Sequence, residues 1–408
     1  MSSDISFHAW RAGELGGGTH LGTEVTDRGL KMACPVGTRR YTDPHRDQPT
    51  DHVPDHVPRN YDWSAWVSPA VEPGHPFDFL VPSWNASTPD DSWLEVEVRV
   101  SVDGLRWSRW HSLGCWAESD AEMHRTSRPG QPDDEATIRT DVLSARPGVT
   151  WTAYQLRLVL HRRPGSAAVP DVSLVGASVS ARAPDPAGSN DPPGDPGGAA
   201  HGTELRVPAY SQQIHRGEYP QWGGGGEAWC SPTATSMLLG HWGLGPSQEE
   251  YDWVDPSYAD RFVDHAAWSV FDHAYAGAGN WPFNVAYAAR YGAEAFVTQL
   301  RSLAEAELFI AAGIPLVASV SFTSDELDGA GYDTAGHLLT IIGFDDEGHV
   351  ICNDPASHGR PDNTEVRVVF DRTQLERSWL NGSGGIVYVV RPHDVALPEP
   401  PDPHRRNW

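Results

Sequence analysis

The sequence predicts an α+β domain preceded by an all-β sandwich, and three observations carry that expectation. Between residues 62 and 181, apolar and polar residues alternate in short runs separated by Gly, Pro and Asp. That is the period-2 pattern of strands with one wet face. Beyond residue 204, helical spacing comes first and apolar strands follow, the order of an α+β domain. Between the two lies RAPDPAGSNDPPGDPGGAAHGT at 182–203, which has nothing to bury and reads as a linker. The expected organisation is an N-terminal region with a Trp-rich sandwich over 1–181, the linker, a second domain over 204–395, and a disordered Pro-rich tail over 396–408.

Composition narrows the partners. The 408 residues are 39% hydrophobic and include 17 Trp, enough for a core in each half. Thirty basic residues against 55 acidic ones give a net charge of −25, which argues against nucleic acid or an anionic membrane. No run approaches the ~20 apolar residues of a membrane helix. The start has no basic segment followed by an apolar one, so no secretory signal is read. The compartment stays open, cytoplasmic by this sign or secreted by another route. Four cysteines are too few for a disulfide framework, although Cys34 and Cys115 could pair.

In chain order, residues 1–60 read as polar and Gly/Pro-rich, and the tandem DHVP at 51–58 reads as a surface loop. WLEVEVRVSV at 93–102 alternates as a strand, DG at 103–104 supplies hairpin chemistry, and RWSRWHSL at 106–113 alternates again. Residues 151–160 and 172–179 read likewise. Trp63, Trp66, Trp84, Trp93, Trp107, Trp110 and Trp116 are expected mainly in a core, with glycan stacking as the alternative.

The second domain opens with LRVPAYSQQ at 205–213 and is organised around WCSPTATSMLLGHW at 229–242. Gly223 to Gly226 suggest a flexible approach, and Pro232 suits the first turn of a helix. Ala234, Met237, Leu238, His241 and Trp242 form a buried helical stripe, which Gly243 and Gly245 end. Cys230 therefore stands at a helix N-terminus, where the dipole and unpaired N–H groups favour a thiolate. Helical spacing follows at 258–275, 281–291 and 302–312. Strands are expected at 314–322, 338–344, 350–353, 365–370 and 385–390, with a short helix between the last two.

Thiol catalysis needs an imidazole to hold the proton and a third group to orient it. His337 begins one apolar strand and Asp354 ends the next, across the turn at 345–348, so antiparallel pairing brings the two together. Donors for a tetrahedral oxyanion are the Cys230 N–H and Gln212, with Gln213 and Gln221 as rivals. Cys352 reads as packing. His241, His265, His273, His349 and His358 offer no coherent metal spacing, so neither metal nor cofactor is expected. Asn280, Trp281 and the loop at 325–336 are expected to line the substrate site.

The same residues carry a resemblance. VPAYSQ at 207–212, CSPTATSM at 230–237, Gly336-His337 and NDP at 353–355 resemble the papain-like cysteine peptidases of family 39, relatives of the bacteriocin-processing double-glycine peptidases. GNWPFN at 279–284 and GAGY at 329–332 are similar to a stand-alone actinobacterial branch. That branch places a Trp-rich β-domain in front, here with SWNA at 83–86 and HRTS at 124–127. The resemblance implies a papain-like fold for the second domain, with Cys230 as nucleophile, His337 as general base, Asp354 as its orienter and Gln212 as oxyanion donor. It departs in two places. Ser231 follows the nucleophile where the wider family has Gly, and no membrane segment or phosphate-binding loop of an exporter accompanies the domain. Cleavage after double glycine is therefore not implied. The expected partner is a peptide or protein substrate, with a glycan or cell-wall ligand for the β-domain as an option. Two rival readings share these residues: a cell-wall peptide amidase or acyltransferase, and an inert glycan- or wall-binding protein.

Overall fold

The computed structural model describes residues 4–45, 58–181 and 197–408. The DHVP tandem, apart from Pro58, and most of the expected linker lie outside the described residues. The chain divides into two compact units. One contains residues 8–180 together with 272–276, and the other contains the remainder.

The first unit is all β. One sheet runs in the order Ala136–Arg139, Val142–Ala145, Phe79–Ser87, Asp171–Ser180, Leu30–Met32, Thr23–Val25, with Ile5–Arg11 also paired to Asp171–Ser180. The other runs Thr126–Ser127, His111–Trp116, Ser92–Ser101, Ala153–Arg162, Arg59–Val67, Thr19–Leu21, with Gly37–Tyr41 also on Arg59–Val67. Trp84 of the first sheet meets Trp116 of the second at 6.4 Å between ring centroids, and Trp10 meets Trp66 at 5.5 Å. The inward faces of two sheets thus share an indole core, the sandwich expected from the alternation. Trp66, Trp84, Trp93 and Trp116 are buried. Trp63, Trp107 and Trp110 are half-buried, each with an arginine guanidinium over its ring. All seven rings thus take part in core packing or in cation–π pairs. The described part of residues 1–45 contributes five strands that the sequence pattern did not predict. Cys34 is exposed and Cys115 buried, both free thiols, so the pairing raised from sequence does not form.

Among the described residues the second unit holds one seven-stranded sheet and five α-helices. Numbered within this unit, its strands are β1 (Ala293–Gln299), β2 (Leu316–Phe322), β3 (Thr334–Phe344), β4 (Val350–Asn353), β5 (Arg367–Phe370) and β6 (Ile386–Pro392). They lie in the order β1-β6-β2-β3-β4-β5, all antiparallel, with the short Thr203–Glu204 on the end of β3. The helices are α1 (Cys230–His241), α2 (Arg261–Val270), α3 (Trp281–Arg290), α4 (Leu303–Ala311) and α5 (Arg372–Ser383). α1 packs on β3 and against α2 and α3, while α5 lies on β2. Phe296, Phe309, Leu339, Ile341, Cys352, Trp379 and Val389 belong to one apolar core.

Several expectations change here. α1 is not a one-sided stripe: every residue from Ser231 to Leu239 is buried. Small residues permit that enclosure, and the hydroxyls are satisfied locally. Thr233 and Ser236 donate to the carbonyls of Trp229 and Pro232, and Thr235 donates to Asn284 Oδ1. The helix expected over 258–275 is only α2. Asp260 has a left-handed φ of 45°, and the chain beyond Phe271 leaves for the other unit. The tail expected to be disordered is packed. Asn407 is wholly buried and Trp408 is 9% exposed, its ring 4.9 Å from Phe309 and its indole N–H on the Pro398 carbonyl. Among the described residues no helix is long and apolar enough to cross a membrane.

Candidate active site

Cys230 opens α1 and is half-buried. The glycine run ahead of it is shaped rather than loose. Gly223, Gly224 and Gly225 have φ of 74°, 99° and 97°, a region that side chains disfavour. At Gly226 an added Cβ would fall 2.4 Å from the His215 backbone. Trp229, at the N-cap, places no side chain on the first-turn N–H groups. Ser231, where glycine was expected, is buried and hydrogen-bonded to the Tyr388 hydroxyl at 2.9 Å, which gives that departure a packing reason.

β3 and β4 set the imidazole against the carboxylate. Thr340 is opposite Asn353, so the start of β3 faces the end of β4 across the tight turn at 345–348. His337 Nε2 is 2.7 Å from Asp354 Oδ1. Both residues are buried. With Nε2 engaged, Nδ1 is the ring atom left for the thiol, and the His337 ring hydrogen-bonds the Cys230 sulfur. Burial alone would strip the ring of its proton. The Asp354 charge and hydrogen bond outweigh it, the thiol adds to them, and His337 is pushed up to about 10. Burial pushes the Cys230 thiol up, but the His337 hydrogen bond and charge, with the Leu338 and Ser231 backbone, hold it below its ordinary value. Asp354 resists burial in the same way, held below the usual carboxylate range by His337, the Ala356 N–H and Tyr332. The arrangement favours a thiolate–imidazolium pair.

Tyr332 is a residue the sequence reading assigned no role. Its hydroxyl donates to Asp354 Oδ2 at 2.8 Å, and its ring lies edge-on to His337 at 5.6 Å. It comes from the loop expected to border the site, and its only signal in the sequence is the phrase GAGY. Asp354 thus has one oxygen on the imidazole and the other on a phenol.

Gln212 begins a 3-10 turn, Gln212–His215, and is buried. Its backbone N–H donates to the Pro355 carbonyl, and its Nε2 donates to the Glu227 carbonyl at 2.6 Å. The residue is therefore tied by its backbone to the residue after Asp354 and by its side chain to the turn before Cys230. An amide has two N–H donors, so one remains beyond the Glu227 bond. Of its rivals, Gln213 accepts from Arg216 and Gln221 is exposed. Asn280 is buried as the N-cap of α3, its Oδ1 accepting from the Phe283 N–H. Trp281, the first residue of α3, is half-buried. Cys352 is sealed in the core, where burial raises its thiol well above the ordinary value. Among the described residues, one group of metal-ligand type, His215, Glu218 and Asp264, brings its atoms within 4.8 Å of one another.

Two family profiles match this chain. The Peptidase C39 N-terminal domain matches residues 6–180, and the Peptidase_C39 like family matches residues 204–386. No curated protein matches it. The second match spans α1, β3 and β4, and points to chemistry of the cysteine-peptidase type in general. The chain is accordingly similar to the Peptidase_C39 like family over its second unit, with a match to the peptidase C39 N-terminal domain ahead of it.

Proposed function

We propose that this protein hydrolyses peptide bonds through a Cys230–His337–Asp354 triad and a thioester. The observation that carries the reading is one imidazole shared between a thiol at a helix N-terminus and a buried carboxylate. The Cys230 thiolate attacks the substrate carbonyl carbon, and the carbonyl electrons move to oxygen. The Cys230 N–H and the remaining Gln212 N–H receive that oxyanion. His337 Nδ1 gives its proton to the leaving nitrogen as the C–N bond breaks, leaving a thioester and a free amine. Neutral His337 then takes a proton from water, whose oxygen attacks the thioester. Collapse releases the acid and restores thiolate and imidazolium. Asp354 keeps Nδ1 aimed at the sulfur throughout, and Tyr332 keeps Asp354 in place.

The test is a peptide-library digest with wild type and Cys230→Ala. Cleavage by the wild type, lost in a folded Cys230→Ala, is the expected result. Turnover that survives the substitution would move the chemistry elsewhere. Iodoacetamide labelling of Cys230 no faster than Cys352 near neutral pH would remove the activated thiol altogether.

A further inference from the structure

Outside the triad, one buried titratable cluster among the described residues is His215, Glu218 and Asp264. His215 and Asp264 are fully enclosed, and Glu218 is 9% exposed. His215 Nδ1 lies 2.8 Å from Glu218 Oε2 and 3.2 Å from Asp264 Oδ2. One imidazole and two carboxylates are also a donor set for a divalent cation, but three ligand atoms fall short of a closed tetrahedral site. The His215 Nε2 also lacks the acceptor that steadies a metal-bound imidazole. The cluster fits an imidazole clamped at Nδ1, hydrogen-bonded there to Glu218 Oε2 with Asp264 Oδ2 in ion-pair contact with the same nitrogen. Consistent with that, the carboxylates lift the His215 proton affinity despite burial.

Its position gives the clamp a purpose. His215 ends the same one-turn helix that Gln212 begins. Gly226 lies so close over the His215 backbone that no side chain fits there. The next carbonyl along, that of Glu227, accepts the Gln212 amide. His215 also faces Trp229, the residue before the nucleophile, at 5.9 Å between rings. The floor beneath the Gln212 anchor is therefore His215, and α2 holds that floor through Asp264.

We propose that His215, clamped by Asp264 and Glu218, is the positioning residue for the Gln212 side chain as oxyanion donor. This rests on the triad reading above. Losing an oxyanion donor costs about 10²–10³-fold in kcat, whereas alkylation by iodoacetamide forms no oxyanion and reports only the thiolate. The experiment measures kcat and KM on a fluorogenic peptide cleaved by the wild type, and the iodoacetamide rate at Cys230. It compares His215→Gln, Asp264→Asn, Gln212→Ala and the double variant Gln212→Ala/His215→Gln. The expected result is a fall in kcat of about 10²-fold for His215→Gln, with KM and alkylation within about 3-fold of wild type. The double variant should be no slower than Gln212→Ala alone. Unchanged kcat in His215→Gln, alkylation falling in step with kcat, or additive losses in the double variant would each overturn the assignment. If His215→Gln does not fold, Asp264→Asn, which keeps the shape and removes the charge, takes its place with the same criteria. A wild type that cleaves no peptide, or a Cys230→Ala that still does, would instead refute the triad reading.

Discussion

Replacing Asp354 by Asn isolates the electrostatic part of the triad. The amide oxygen still accepts from His337 Nε2, so the ring keeps its aim while the negative charge goes. In the native protein His337 holds its proton to about 10 against an ordinary 6.5, a preference of roughly 5 kcal/mol for the imidazolium. Asp354 supplies the two largest favourable contributions, and burial opposes them. Without that charge, burial returns the ring to its neutral form near pH 7. The thiol then loses the cation that depresses it and rises to at least its ordinary 9.0. At about pH 7.5 an ordinary thiol is only about 3% thiolate, so iodoacetamide should modify Cys230 about 30-fold more slowly in Asp354→Asn. The sign of the pH dependence follows. The ion pair forms as pH rises through the depressed Cys230 value, and it is lost as pH rises through the elevated His337 value. The alkaline limb of kcat/KM should therefore lie well above neutrality in wild type and fall toward neutrality in the variant. Rates of alkylation and of peptide cleavage against pH, with mass spectrometry to locate the label, provide the assay. An alkaline limb that stays in place, with alkylation within about 2-fold of wild type, would refute the carboxylate as the source of the ion pair.

Three further outcomes are expected. Tyr332→Phe removes one hydrogen bond from Asp354 and should lower kcat/KM by about 5–10-fold while Cys230 still alkylates rapidly. Gly226→Ala sets a Cβ against the His215 backbone, which cannot withdraw cheaply, and should destabilise the second unit by about 3 kcal/mol in urea unfolding. Trp408→Ala empties the site against Phe309 and abandons the Pro398 carbonyl, so a loss of about 3 kcal/mol is expected by the same measurement. A tail without contacts would leave stability unchanged.

What could be read from the sequence follows how local the determining forces are. The strand Ser92–Ser101 announced itself because charged and apolar residues alternate along it, although its charged face is itself buried or half-buried, and α1 because proline, glycine and apolar residues bracket it. The meeting of His337 with Asp354 followed from a tight turn and two strand lengths. β1 escaped because all seven of its residues are buried, so no alternation survives. The strand Thr19–Leu21 escaped because its partner, Arg59–Val67, lies some forty residues away and it is only three residues long. The enclosure of α1 was hidden because Ser and Thr read as polar until their acceptors are known. Tyr332, Asp264 and His215 carry no periodicity at all, and only tertiary folding reveals what their side chains touch.

The sealing of Cys352 has a consequence for durability. A thiolate within reach of solvent is the form that peroxide oxidises first, giving a sulfenic acid. Rescue of that species within one fold requires a second sulfur free to condense with it. In this unit the only other sulfhydryl is immobilised among Leu, Ile and Trp side chains with its proton firmly held. Oxidation at Cys230 therefore finds no second thiol within its own unit to condense with, and recovery of the thiolate there depends on reductants supplied from outside.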